Sequence, residues 1–457
     1  MKYLKHFLYF IFALNLAFHS PNLIAQDSEM GLSKLSAEEE KRYREILDKP
    51  IDSSALNSTK INAYIEKDNA SHILGELKLR EANLIEWAKI DGEGRLNLRG
   101  FYSITGNHHE AIKLGLQLLN DPDRRVTWPP TKVRTFAYLA GDYMQINDLQ
   151  KAFEMLKNAE SQIVGLRNTP GRNVQAWSSW AESNVALMKS IYLMRIGKWD
   201  ESFVQIKIAV EKSKEVLPML NLFENDKQKM HAKNNAAFII ANMVNQQIQV
   251  GHLTPAESSL RDAFKFAKAN GFNENHMFAF DLLSANLFNG NGQFQSSLKY
   301  IETAQKLHID QGYLKTNNRW MRTKGLELIA LSGLNQWDKA LAVLQEASDE
   351  TKGTPFEPKN TLDGKLIGLI QIKNNRIDEA IGVLSEAYKN DATNYGPKHY
   401  YTAISQGLLG VAYWKKGDLA RARTELESAR TIINSPESLS GDFSESAIQR
   451  KTNRRSE

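Results

Sequence analysis

Apolar residues recur three and four positions apart through most of the chain, as in Phe136, Leu139, Ala140 and Tyr143, and again in Leu409, Gly410 and Tyr413. That spacing lines one face of an α-helix. Such runs stop at Gly or Asn, and a second apolar run begins a few residues later. Ala340, Leu341, Val343, Leu344 and Ala347 form one of these, with polar residues between them. Gly and Asn tolerate the left-handed conformation that closes a helix C-terminus. Asp often follows the stop, at Asp148, Asp200, Asp338, Asp378 and Asp418, placed to cap the next helix or to favour its positive end. The predicted unit is a helix, a tight turn and a second, amphipathic helix.

The unit repeats. The segments TGNHHEAIKLGLQLL, INDLQKAFEMLKNAE, IGKWDESFVQIKIAV, VGHLTPAESSLRDAF, NGQFQSSLKYIETAQ, LNQWDKALAVLQEA, NNRIDEAIGVLSEA and KGDLARARTELESA share a small residue early in the second helix. These anchors are Ala111, Ala152, Ser202, Ala256, Ser297, Ala340, Ala380 and Ala422, separated by 41, 50, 54, 41, 43, 40 and 42 residues. A steady period of this size marks stacked supersecondary units. The two long steps place insertions near residues 165–178 and 215–233. A small residue lets the two helices approach closely, while Trp199, Phe294 and Trp337 fill the space beside it.

The pattern resembles the tetratricopeptide repeat, over residues 95–435, in the longer variety found in kinesin light chains and in many bacterial multi-repeat proteins. The resemblance implies an all-α, right-handed superhelical solenoid of about eight helix-turn-helix repeats. The family's small first-helix position lies twelve residues before each anchor. Here it holds Arg99, Ala140, Ser190, Val244, Ala285, Leu328, Gly368 and Gly410, so that Arg99 and Leu328 depart from the pattern. The turn position holds Gly106, Asn147, Gly197, Gly251, Gly292, Asn335, Asn375 and Gly417. Gly396-Pro397-Lys398-His399 resembles the Gly-Pro-x-His linker of the longer variety.

The flanks differ. Residues 26–94 read as a helical N-terminal region or capping repeat, since a terminal repeat has one face in water. Residues 436–457 read as a polar, flexible tail. MKYLKH followed by FLYFIFALNLAF and by a small residue at Ala25 has the layout of a secretory signal, residues 1–25. The expectation is an exported protein, periplasmic or secreted, with no transmembrane segment after cleavage.

Composition narrows the chemistry. The formal net charge is +5, and Lys2 and Lys5 lie in the signal, so the mature chain carries too little charge to point to nucleic acid. The chain has no cysteine, which excludes disulfides and a Cys nucleophile within it. His108-His109 is no chelating pair, because adjacent helical side chains point about 100° apart. His108 falls where other repeats carry Trp or Leu, which predicts packing. DGEGRLNLRG lacks the strand and the Lys-Ser/Thr of a phosphate loop and reads as an inter-helix turn. No catalytic constellation, cofactor motif or metal motif stands out, and the expectation is a chain that is not an enzyme.

A solenoid of this kind offers a concave groove lined by first-helix residues. The repeat register places Arg195, Asn242, Asn245, Asn286, Asn289, Lys365 and Lys373 toward it. Amides can grip a peptide backbone through donor and acceptor together, and Arg and Lys can hold carboxylates. The run NNAAFIIANMVNQQIQ is rich in amides. The expected partner is a protein or peptide, bound by a non-catalytic scaffold or adaptor. The resemblance also raises a second expectation. Long bacterial arrays of this type precede caspase-like CHAT peptidase domains, for which this chain would be the sensor or substrate arm.

Overall fold

In the computed structural model the described residues are 36–434, apart from 167, 169–172, 197, 224, 225, 273, 311–314, 316, 317 and 355. Residues 1–25, read as a secretory signal, residues 436–457, read as a polar tail, and Gly197 lie outside them. Every regular element among the described residues is helical.

Three helices precede the repeats: α1 (Ala37–Asp48), α2 (Asn57–Leu74) and α3 (Leu77–Ala88). Ser36 and Glu39 form a reciprocal capping box at the start of α1. Gly75, in the left-handed conformation, breaks what could have been one long helix into α2 and α3.

Eight helix pairs follow. They are α4 (Gly92–Ile104) with α5 (His108–Leu119); α7 (Pro129–Gln145) with α8 (Leu149–Leu166); α9 (Val174–Arg195) with α10 (Trp199–Val216); and α11 (Asp226–Gln249) with α12 (Leu253–Ala269). The second half comprises α13 (Glu274–Gly290) with α14 (Phe294–Asp310); α15 (Asn318–Gly333) with α16 (Trp337–Thr351); α18 (Gly364–Lys373) with α19 (Ile377–Tyr395); and α20 (Tyr400–Lys416) with α21 (Leu419–Asn434). The single turns α6 (Arg124–Thr127) and α17 (Pro358–Thr361) lie between pairs.

The repeat register holds at each described position. All eight anchors are buried, from Ala111 to Ala422. So are all eight residues twelve positions earlier, including the departures Arg99 and Leu328. Two units show the twelve-residue relation as direct bonds. Ser202 Oγ donates to the Ser190 carbonyl at 2.8 Å, and Ser297 Oγ donates to the Ala285 carbonyl at 2.9 Å. Gly368 shows how tight the approach is: a Cβ there would lie 2.4 Å from Leu384 Cγ.

The turns are equally regular. Gly106, Asn147, Gly251, Gly292, Asn335, Asn375 and Gly417 have φ between +58° and +88°. In all eight units the amide one residue past the turn position donates to the carbonyl five residues back, as from Asp148 to Tyr143 and from Asp418 to Tyr413, at 2.8–3.0 Å. This bond satisfies a carbonyl that the helix end would otherwise leave open. Asp148 and Asp418 then accept from the amides of Lys151 and Arg421, each at 3.1 Å, and cap the second helix. Asp200, Asp338 and Asp378 instead lie within its first turn.

One local expectation is corrected. Residues 91–100 are not an inter-helix turn. Asp91 accepts from the Gly94 amide at 2.9 Å and caps α4, which runs through the three glycines. Gly94 lies against the backbone of Trp87, where a Cβ would come within 2.6 Å. Gly92, against Val126, and Gly94 serve close packing, whereas a Cβ on Gly100 would meet nothing within 4 Å.

The insertions lengthen helices. α9 has 22 residues and α11 has 24, and a 3₁₀ turn at Leu217–Leu222 follows α10. Their extra length carries Trp177, Trp180 and Phe223 into one aromatic cluster, with Trp177 stacked on Trp180 at 4.8 Å. The Arg134 guanidinium lies over Trp180 at 4.6 Å.

Candidate functional site

Successive first helices pack on one another along the array: α7 on α9, α11 on α13, α13 on α15 and α18 on α20. Successive second helices are not in comparable contact. The first helices therefore form the inner layer of the stack and the second helices the outer one. The candidate surface is the inner layer.

Polar side chains clasp the inner layer from joint to joint. At the first joint Arg99 of α4 donates to Asp142 of α7, whose carboxylate is fully buried. Ser103 Oγ donates to the same carboxylate at 2.6 Å, and His108 Nδ1 lies 3.0 Å from it. Burial pushes the Asp142 carboxyl up, but the Arg99 charge and the bonds from His108 and Ser103 outweigh it and hold it below the usual carboxylate range. The packing role read for His108 is thus corrected: the ring is a hydrogen-bond partner in this cluster. Arg195 bridges the next joint, donating to the Met144 carbonyl at 2.7 Å. Gln246 of α11 donates to Ser190 of α9 at 2.8 Å. Asn286 donates to Asn245 at 3.3 Å, and Asn289 to the Leu326 carbonyl at 3.2 Å.

The residues read as groove-facing therefore divide. Arg195, Asn245, Asn286 and Asn289 lie on the inner layer, where they bond to neighbouring units. Asn242 is buried and donates to Phe238, one turn back on its own helix, at 2.9 Å. Lys365 does not face a groove. It is 2% exposed and paired with Asp391 at 2.9 Å and Asp363 at 3.2 Å. An ammonium buried that deeply needs its carboxylates, because desolvation opposes the charge. Those partners more than offset the burial and raise the Lys365 pKa. Lys373 is exposed, over the Trp337 ring at 5.4 Å.

Three consecutive first helices end in buried polar groups that folding leaves without partners: Gln249 Oε1 on α11, Asn289 Oδ1 on α13 and Ser332 Oγ on α15. Asn289 and Ser332 occupy the same repeat position, four residues past Ala285 and Leu328. An unmet buried acceptor costs about 1–3 kcal/mol; Gln247 Oε1 on α11 and Gln371 Oε1 on α18 share this status on the inner layer. One carboxyl on the same helices also stands apart. Asp281 of α13 is pushed up to about 6 by burial.

Sequence reading missed Arg99–Asp142 and Ser190–Gln246. Both join matching faces of successive units, with separations of 43 and 56 residues, close to the local repeat period. Opposite charges or paired polar residues one period apart are the signal that would find them. The linker residues have a local role: Gly396, at φ +95°, closes α19, and His399 Nδ1 accepts from the Tyr401 amide at 3.1 Å to cap α20. Burial pushes the His399 pKa down to about 4, which keeps that nitrogen an acceptor at neutral pH. Among the described residues no group of three His, Asp or Glu forms a metal site, and no helix is long and apolar enough to cross a membrane.

Residues 360–435 match the model of a tetratricopeptide repeat family. No curated protein sequence matches the chain significantly. Among solved structures, the apo form of RapI shares 11% identity over 66% of this chain and 98% of its own, with a TM-score of 0.40. A Pyrococcus horikoshii signal-transduction ATPase with numerous domains and a tetratricopeptide repeat sensor shares 12% identity over 87% of this chain and 53% of its own, with a TM-score of 0.36. Human IFIT1, solved as a dimer with PPP-AAAA, shares 12% identity over 88% of this chain and 96% of its own, at a TM-score of 0.29.

Proposed function

We propose that this tetratricopeptide-repeat chain is a non-catalytic, exported scaffold that holds an extended segment of a protein partner along its inner layer. The observation that carries the reading is the run of spare acceptors at Gln249, Asn289 and Ser332, on three adjacent first helices. An extended peptide presents backbone N–H groups at regular intervals and supplies the donors these groups lack. Asn245 and Asn286, on the same helices, add amides that can turn from each other to a ligand.

Export rests on the basic start, the twelve-residue apolar run and Ala25. Sequencing the N-terminus of the mature protein should find Gln26 first.

Recovery of partners from an envelope extract tests the binding surface. The double variant Asn245→Ala/Asn286→Ala should lose most of what the wild type recovers. Lys299→Ala, on the outer helix α14, should lose nothing. Equal recovery by all three removes the inner layer as the binding face.

A further inference from the structure

Charge is sorted between the two layers. The eight first helices carry sixteen Lys and Arg against seven Asp and Glu, a net of +9. The eight second helices carry the same sixteen against twenty-one, a net of −5. The whole-chain figure of +5 hides this division. Basic residues are shared evenly, and the acidic ones lie mainly on the outer layer. A surface of one sign concentrates ligands of the other sign and steers them toward it.

Some inner cations have a carboxylate within the fold. Arg99 has Asp142, Lys324 has Glu346 and Lys365 has Asp391. Arg134 of α7 pairs with none among the described residues. Its guanidinium lies over Trp180 at 4.6 Å, over Tyr138 at 5.6 Å and over Trp177 at 5.7 Å. It donates to the Tyr138 hydroxyl at 3.1 Å, and its buried Nε has no partner. Trp180 Nε1 is a second buried donor without a partner. Stacked rings hold a guanidinium in place without neutralising it. Both tryptophans stand in the first two turns of α9, beside the first insertion, so the arrangement is particular to this unit. Further along, Lys373 and Lys415 share one repeat position, five residues past Gly368 and Gly410. Both are exposed, and neither pairs with a carboxylate.

We propose that the segment held by the inner layer is acidic, and that Arg134 receives one of its side-chain carboxylates. This rests on the inner layer being the binding face and adds the charge of what binds there. A planar carboxylate matches the guanidinium fork. A nucleic-acid strand is the poorer match. The spare acceptors at Gln249 and Asn289 need donors, whereas phosphate oxygens accept.

Fluorescence anisotropy of the purified protein with labelled synthetic peptides of about twelve residues tests the proposal. One peptide alternates Glu with Ser, and its control carries Gln in place of Glu. Both are amidated, so no terminal carboxylate contributes. The Glu peptide should bind about tenfold more tightly than the Gln peptide at about 50 mM salt and lose most of that advantage at about 500 mM. Arg134→Met keeps the side chain's packing on the rings, and Lys373→Gln/Lys415→Gln changes only exposed positions. Each should weaken the Glu peptide about fivefold and leave the Gln peptide unchanged. Lys299→Gln/Lys339→Gln, which removes two exposed cations from second helices, should change neither. A Glu peptide that binds no better than the Gln peptide overturns the proposal. So does a single-stranded oligonucleotide of the same length that binds more tightly than the Glu peptide. Asn245→Ala/Asn286→Ala separates the two levels. Loss of the Gln peptide in that variant, with no preference for Glu in the wild type, overturns the acidic segment and keeps the inner face. Weakening of the Glu peptide by the outer pair as much as by the inner pair overturns both.

Discussion

Arg99 of the first repeat donates to Asp142 of the second, and Asp142 has no contact with solvent. The pair sits where the first joint of the array is built. Arg99 takes the position that a small residue fills in most units, and its guanidinium lies 5.1 Å from the Tyr138 ring, in the same helix as Asp142. Asp142→Ala leaves a buried cation without its partner and should cost about 3–5 kcal/mol. Arg99→Leu/Asp142→Leu removes both charges together and should recover most of that loss. Urea melts of the three proteins measure the difference.

The same carboxylate sets an acid limit. Its folded pKa lies below its unfolded value, so its contribution is present above the unfolded pKa and is lost as pH falls through the folded one. Asp281 acts in the opposite sense. Burial raises it to about 6, so the unfolded chain releases its proton first and stability falls as pH rises from about 4 to about 6. Asp281→Asn should therefore raise Tm at pH 7.5, and the gain should shrink below pH 6 and vanish near pH 4. A gain that is the same at both ends of that range would contradict the assignment.

Asn335 adopts φ +58° at the turn between α15 and α16. A left-handed residue with a Cβ is strained, by about 1–2 kcal/mol for an ordinary side chain. Asn335→Gly should keep or raise stability by up to about 1 kcal/mol, whereas Asn335→Ala should lower it by about 1 kcal/mol. Thermal melts of the two variants check the order.

Two glycines in the seventh unit should respond in opposite directions. A Cβ on Gly368 meets Leu384, which is fully buried, at 2.4 Å; a Cβ on Gly382 meets nothing within 4 Å. Gly368→Ala should destabilise by about 1–3 kcal/mol, the usual cost of overpacking. Gly382→Ala, in the exposed interior of α19, should stabilise by about 0.5–1 kcal/mol. Denaturant midpoints of the pair distinguish helix packing from helix propensity.

The eight pairs, their turns and their buried anchors were legible because each is written locally and repeatedly. A small residue, a Gly or Asn and a short apolar run recur at nearly constant spacing. The individual roles of inner-layer residues were not legible, because they depend on what the next unit brings. Lys365 reads like a groove lysine until Asp391, on α19, is seen beside it. Asn289 reads like a wholly free groove amide until the bond from its Nδ2 to the Leu326 carbonyl of the following helix appears, which leaves only its Oδ1 for a ligand. Residues 91–100 read like a turn, because helix propensity penalises glycine while the packing of Gly94 on Trp87 rewards it.

The central claim is that the inner layer of first helices holds the partner. A photo-crosslinking residue placed singly at Asn245, Gln249 or Lys299, in the cells that make the protein, tests it most directly. Asn245 and Gln249 lie on the inner layer and Lys299 on the outer. The account predicts one discrete adduct from the two inner positions, competed away by excess unlabelled protein, and none from Lys299. Adducts from Lys299 alone, or equal adducts from all three positions, would contradict it.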